Sequence, residues 1–265
     1  MNRRQTKNFI ETLRKYHELI FFLTYREIRI RYKQAALGAS WAVLQPFVQM
    51  VVYTLVFSHI GKISVGDVPY PVFVLCGLLP WGICAGAISR GVPIITNYSN
   101  LVTKIYFPRE IFPIFAVLGL SVDFLCSFLV LILLFFVYQI PLHLGILASF
   151  LVIVTMCVFI MGVLFFLATA NVFYRDVSYA VSLIVQVWFF MTPVAYPLEK
   201  VPYEFRFWYD WNPMVGFVSS YRDLLLNGSI SNPQLLIQSV AISILIFISG
   251  YQFLKHYEMK FGDII

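Results

Sequence analysis

The sequence predicts an all-α membrane protein with six transmembrane helices, an N-terminal amphipathic helix on the cytoplasmic surface, and both termini in the cytoplasm. Three observations predict this. Of 265 residues, 60% are hydrophobic and 12% charged, with a mean hydropathy of +0.81, whereas a water-soluble globular chain carries about 25% charged residues. Apolar runs of roughly 20 residues, the length that crosses a bilayer core, recur six times. Basic residues segregate between alternate connecting segments.

Residues 1–36 form the expected interface segment. Ile10, Leu13, His17, Ile20 and Leu23 recur at helical spacing, and Tyr25, Ile28, Tyr32 and Ala36 share a face further on. The charged–apolar alternation of residues 26–33 also fits a strand, but an unpaired strand edge beside a membrane leaves its backbone groups unsatisfied. A helix over 9–35 is therefore expected, with Arg26, Arg29, Arg31 and Lys33 toward headgroups and the apolar face toward lipid. Gly38 ends it, and Trp41 marks the interface where the first span turns inward.

Residues 37–265 are expected to form a single six-helix transmembrane domain, with spans at about 41–60, 71–95, 112–138, 146–171, 179–196 and 235–254. Residues 124–174 contain no Asp, Glu, Lys or Arg, a run too long for one crossing, and Pro141 and Gly145 place the bend. With the N-terminus inside, the cytoplasmic segments hold 14 Lys and Arg and the outer segments 4, as the positive-inside rule requires. That topology accounts for the net charge of +6, so no nucleic-acid partner is expected. The first 18 residues mix both charge signs without an apolar core, so no cleavable leader is expected. Cys76, Cys84, Cys126 and Cys157 all fall within spans and read as packing residues, with no metal site.

No phosphate-cradling G-x-x-x-x-G-K-[ST] loop occurs, so energy for transport must come from another subunit or an ion gradient. The short cytoplasmic loop 98–110 carries Lys104, Phe107, Pro108, Arg109 and Glu110. Phe107 and Pro108 supply a stiff apolar knob, and Arg109 and Glu110 can pair with a partner; an ordinary basic loop with a helix starting at Pro108 reads equally well from these residues alone. Arg175 and Asp176 form a second cytoplasmic site, readable as a channel entrance or as a snorkelling Arg beside a helix-capping Asp. Asp123 is the one acid inside a span, near mid-depth by helical rise. It is either a hydrogen-bonded structural acid or the proton site of a gradient-driven transporter.

The segment 197–233 is strongly aromatic, and 213–228 has a helix signature too short to cross a bilayer. Re-entrant or surface helices at the outer face are expected there. The chain holds 26 Phe and 16 Tyr; aromatic rings stack on sugar C–H faces, and Tyr53, Phe57, Trp81, Trp188 and Tyr196 are the candidates to line a channel. The competing reading is lipid-facing and interfacial packing.

Four blocks in order resemble one family. They are "REIRIRYKQAALGASWAVLQPF", "NLVTKIYFPREIFPI", "NVFYRDVSYAVSLIVQVWFFMTPVAYP" and "NPMVGFVSSYRDLLLNG". Together they look like the type-2 ABC exporter permeases that move lipid-linked polysaccharides across bacterial inner membranes, for O-antigen, capsule or teichoic acid. The resemblance implies a homodimer, two separate ATPase subunits that bind the ATP and Mg, and a polyprenyl-linked glycan as cargo. It also implies that loop 98–110 is the ATPase-coupling element, and that Pro193, Tyr196, Pro213, Tyr221 and Arg222 belong to an outer gate. A drug or small-lipid exporter of the same fold is an alternative cargo class. A membrane-embedded transferase is disfavoured because the outer acids are scattered.

Overall fold

The computed structural model describes residues 9–33, 38–104 and 107–264, with the side chains of Ala39, Thr103, Lys104 and Asp263 outside the described set. Ala36, Ile105 and Tyr106 likewise lie outside it. Among the described residues every regular element is helical, as a hydrocarbon setting demands, because a helix satisfies its backbone groups within one segment.

The N-terminal segment is two helices, α1 (Phe9–Lys15) and α2 (His17–Lys33), interrupted at Tyr16. The expected single helix with a lipid-facing apolar stripe is therefore corrected. Ile20 and Leu23 are buried as α2 packs on the helix Ile111–Leu118, while Ile10, Phe21, Phe22, Tyr25 and Ile30 are exposed. Phe9 of α1 inserts its ring among Phe165, Phe247 and Tyr251, edge to face at 5.1–6.4 Å. The segment is docked on protein because its apolar stripe finds side chains closer to hand than lipid.

Gly38 takes a positive φ of 51°, a backbone state that favours glycine, and turns the chain into α3 (Trp41–Tyr53). A π-helical stretch, Thr54–Ile60, continues α3. Helix α4 (Tyr70–Gly91) starts with Pro71 in its first turn, where a missing N–H costs nothing, and is the most buried of the long helices. Pro93 ends the expected second span early, and two short helices follow, α5 (Ile94–Asn97) and α6 (Ser99–Lys104). The third span is two helices, α7 (Ile111–Leu118) and α8 (Ser121–Val137), broken at Gly119–Leu120. Then come α9 (Gly145–Phe173) and α10 (Asp176–Phe190). The outer-face pair expected from the sequence is α11 (Tyr203–Asp210) and α12 (Pro213–Leu226). The chain finishes with α13 (Pro233–Tyr257) and α14 (Phe261–Ile264).

Among the described residues, five stretches are long and apolar enough to cross a membrane: Trp41–Ile60, Tyr70–Gly91, Ile111–Val137, Gly145–Phe173 and Pro233–Lys260. The span expected at 179–196 is shorter. Its helix ends at Phe190 after 15 residues, about 22 Å of rise, and residues 191–197 form a non-helical turn.

Helix α9 and helix α13 approach so closely that side chains are excluded at the crossing. A Cβ on Gly250 would lie 2.4 Å from the Gly162 carbonyl oxygen, and one on Gly162 would lie 2.7 Å from the Phe247 backbone. Small residues at such crossings let two helices gain dispersion contact where lipid offers no hydrophobic drive. Contacts also gather at two ends of the bundle. One end joins α1, Glu110, the C-terminal turns of α9 and α13, and Phe261. The other joins His143, Gly145, Leu224 and Gly228.

This packing predicts that Gly250→Val destabilises the protein by about 1–3 kcal/mol. Gly82, with nothing within 4 Å of its Cβ position, should accept Ala with unchanged or raised thermal stability. Thermal unfolding of the two variants in one lipid nanodisc preparation checks the contrast.

Candidate functional site

A cavity of about 460 Å³ opens between α3, α4, α8 and α10. Tyr53 and Trp81, two of the expected aromatic lining residues, face it. Around them the rings interlock: Tyr53 stacks on Phe189 at 5.2 Å, Trp81 meets Trp188 at 6.0 Å, and Phe57 lies 5.9 Å from Tyr53. Phe57 and Trp188 thus back the ring cluster, while Tyr196 stands apart near the outer turn. Its hydroxyl donates to the Phe190 carbonyl at 2.5 Å and meets the Tyr209 hydroxyl at 2.7 Å. Gln45, Gln49, Gln186 and Arg90 add polar groups to a wall that is otherwise mostly apolar, with Leu78, Leu79, Leu120 and Val185 among its residues. Sequence reasoning missed the three amides, although a Gln inside an apolar run is itself the signal.

Asp123 lines the same cavity. It sits in the first turn of α8, just past the break in the third span, where the interface helix reaches it. Arg31 forms an ion pair with one carboxylate oxygen, and the Tyr32 hydroxyl donates to the other. Burial, reinforced by the Asp123 carboxylate, pushes the Tyr32 phenol up to about 12, so it stays a donor. Arg31 therefore turns inward instead of toward headgroups, whereas Arg26, Arg29 and Lys33 are exposed. Arg26 lies over the Tyr98 ring at 5.3 Å, and the Tyr98 hydroxyl donates to Glu27 at 2.9 Å. The interface helix is thereby tied at two points to the body of the protein.

The expected coupling loop is folded inward. Phe107 is buried against Phe112, with ring centroids 5.4 Å apart. Arg109 covers the Phe107 ring at 5.3 Å and donates to the Val102 carbonyl at 2.7 Å. Glu110 is fully buried and accepts from Lys255 Nζ at 2.7 Å. The reading in which Arg109 and Glu110 offer charges to a partner is corrected: both serve the chain's own packing. Pro108 lies three residues before α7, whose N-cap is Glu110, so the helix does not start at the proline. Lys104 ends α6, its side chain outside the described residues.

Arg175 and Asp176 are both exposed at the α9–α10 junction. Arg175, not Asp176, holds the N-cap position, and the Ser178 hydroxyl donates to its carbonyl at 2.9 Å.

At the other end, Arg222 holds the turn after α10. Its Nη2 donates to the carbonyls of Pro193 and Val194 at 3.0 and 2.7 Å, and the guanidinium covers the Phe73 ring at 3.8 Å. Gly77 makes room for this clamp, since a Cβ there would stand 2.5 Å from Arg222 Nη2 and 2.6 Å from the Val194 oxygen. The Tyr70 hydroxyl donates to the Ala195 carbonyl at 2.5 Å. Pro213 opens α12 under its cap Asn212, and Tyr221 is fully buried beside Arg222. Asn212, unrecognised in the sequence, is the junction of the region. Its Oδ1 accepts from Trp188 Nε1 and the Met214 N–H, while its Nδ2 donates to the Met191 carbonyl and Thr192 Oγ1 at 3.0–3.2 Å. An Asn before Pro at a helix start marks such a cap; its reach to α10 is a tertiary fact.

The Glu110–Lys255 pair makes a specific prediction. Lys255→Met alone leaves a buried carboxylate without its cation and should cost about 3–5 kcal/mol. The double variant Lys255→Met with Glu110→Gln should recover most of the loss, which thermal unfolding of the single and double variants measures.

Comparison with known proteins identifies the family. Residues 18–226 match the ABC-2 type transporter family. The chain is 28% identical over 259 residues to the O-antigen export system permease protein RfbA of Myxococcus xanthus, covering 97% of this chain and 98% of that protein. It is 26% identical over 249 residues to a Klebsiella pneumoniae protein of the same name, covering 94% and 95%. The polysialic acid transport protein KpsM of Escherichia coli is 26% identical over 216 residues, covering 78% and 80%. With a family match that takes in α2, the cavity and the Arg222 clamp, and with relatives aligned along most of their length, this chain belongs to the ABC-2 type transporter family of multi-pass membrane proteins.

Proposed function

We propose that this chain is the membrane permease subunit of an ABC exporter that carries a lipid-linked cell-surface polysaccharide across a bacterial inner membrane. The observation that carries the reading is the near full-length similarity to two proteins named as O-antigen export permeases. The aromatic and amide lining of the cavity supports it, because rings and neutral hydrogen-bonding groups suit sugars without demanding one sequence.

The working unit is a homodimer bound to two separate ATPase subunits, which hold ATP and Mg; the cargo is a polyprenyl-linked glycan. The apolar faces of α3 and α10 that stay exposed, including Phe47, Val51, Leu183 and Val187, are available to lipid and to a second copy. Six crossings with both termini inside are the topology most consistent with the two contact ends: the chain starts at the α1 end, and α13 returns to it. That requires α10 to count as a crossing, with the turn 191–197 and α11–α12 completing the outer side. Loop 98–110 would couple to the ATPase through its rigid shape, since Phe107, Arg109 and Glu110 are spent on holding it. Arg175 and Asp176 would flank the cytoplasmic entrance.

Deleting the chain in its own host is expected to leave lipid-linked glycan on the cytoplasmic side and remove the polysaccharide from the surface. Surface glycan unchanged, with loss of export of a drug or small lipid, would assign the other cargo class. Arg109→Ala should lower export at least 10-fold in cells and uncouple ATP hydrolysis in the reconstituted complex, with the chain still present in the membrane. Normal export in that variant would remove the coupling role from the loop.

A further inference from the structure

The wall of the central cavity carries one cation that nothing in the protein pairs. Arg90, in the last turn of α4, lines the cavity and is exposed to it. Among the described residues its guanidinium has no ion pair and no hydrogen bond. The charges around it are already matched. Asp123 gives one carboxylate oxygen to Arg31 and the other to the Tyr32 hydroxyl. Glu27 accepts from the Tyr98 hydroxyl, over whose ring Arg26 lies. Arg31, Asp123 and Glu27 all act on Arg90, yet Arg26, Arg31 and Arg90 against Glu27 and Asp123 leave one positive charge in excess. An arginine on a lipid-facing surface reaches the headgroups and needs no partner. Arg90 instead stands on the most buried of the long helices and opens into a cavity, where an unmatched guanidinium is costly and marks a site.

The rest of the wall defines the shape of the missing anion. Trp41, Gln45, Gln49 and Tyr53 follow one another by one turn on α3 and all line the cavity, which therefore runs along about 18 Å of helix. Arg90 and Asp123 stand at the Trp41 end, because α4 arrives there by its last turn and α8 leaves by its first. Tyr53 marks the opposite end, where it stacks on Phe189. Charge is thus confined to one end. Between the ends the polar groups are neutral, and the amides of Gln45, Gln49 and Gln186 make no hydrogen bond to the described residues. A ligand that fits carries its anion at one end and neutral hydrogen-bonding groups beyond it. The planar fork of an arginine matches phosphate oxygens two at a time.

We propose that the Arg90 end of the central cavity is a binding site for a lipid-borne phosphate group, with Arg90 as the binding cation. The lipid tail stays in hydrocarbon beside α3, which belongs to the most exposed of the long apolar stretches. Arg31 and Tyr32 hold both oxygens of Asp123 and so keep that carboxylate from neutralising Arg90. The interface helix thereby leaves the charge of the site available to a ligand. The site follows from the unmatched cation; its assignment to the lipid carrier of the cargo rests on the polysaccharide-export reading.

The test uses the full chain in phosphatidylcholine nanodiscs with radiolabelled farnesyl pyrophosphate as the probe and empty nanodiscs as the blank. Saturable binding above the blank is expected, displaced by unlabelled probe and not by farnesol or oleate. Arg90→Gln should weaken binding about tenfold, the loss expected for one hydrogen bond between charged groups, and Arg90→Lys should restore part of it. Thermal stability is expected to be unchanged in both variants, because Arg90 holds no other part of the protein in place. Displacement by phosphatidylglycerol built into the disc assigns the site to bulk lipid headgroups, whereas failure of that lipid to compete assigns it to a carrier with a terminal phosphate; either result keeps the phosphate site. Absence of saturable binding overturns the proposal, as does equal binding by Arg90→Gln or equal displacement by farnesol or oleate. The host deletion described above reads separately. Lost surface glycan with no probe binding removes this site alone, while unchanged surface glycan removes the export reading and with it the assignment to a cargo carrier.

Discussion

Hydrocarbon cannot hydrogen-bond, and this single constraint organises the molecule. Every backbone group inside the apolar layer must find its partner within a helix, and every buried charged group must find one in another side chain or a carbonyl. Glu110, with no exposed surface, is met by Lys255 from a helix about 145 residues later. Arg222 is met by two carbonyls of a turn that could not otherwise satisfy them. Asp123 is met by Arg31 and Tyr32. Each of these contacts joins distant segments, so the few polar residues in an apolar chain fix its topology while the apolar ones supply mass and packing.

Where charge is not needed, closeness replaces it. Between α9 and α13, Gly162 and Gly250 remove the side chains that would hold the helices apart. The rest of that seam is aromatic, with Phe165, Phe247 and Tyr251 packed edge to face around Phe9. The N-terminal helix is thereby wedged against the end of the last span. Such a rigid frame at one end contrasts with the central cavity, whose walls combine rings with Gln45, Gln49 and Gln186.

The end of the bundle built by α11 and α12 follows a different plan. Asn212 caps α12 and simultaneously reaches the indole of Trp188 and the backbone of the turn beyond α10. Trp188 in turn meets Trp81, which faces the cavity. A continuous run of contacts therefore connects the lining of the cavity to the outer helices, through one amide and two indoles. Arg222 makes a second connection to the same turn from the far side. The turn 191–197 is thus held from two directions, although no regular secondary structure supports it.

Run length, proline placement and caps are local properties, so the all-helical membrane class, most span positions and the two short helices between the last spans were legible in the sequence. Trp41–Ile60 and Gly145–Phe173 were legible almost to the residue, as was the break at Gly38. The division of the third span at Gly119 was not, because its hydropathy is continuous, nor was the meeting of Asp123 with Arg31 and Tyr32. Nor was the inward fold of Phe107, Arg109 and Glu110, whose residue types suit an exposed loop equally well until Lys255 and Val102 are seen beside them. The early end of α10 is of the same kind, since residues 191–196 are apolar enough to continue a span. Only tertiary structure decided these points. Run length and periodicity describe how a segment meets its surroundings on average, whereas the partner of a particular charge or amide comes from a helix far away in the chain.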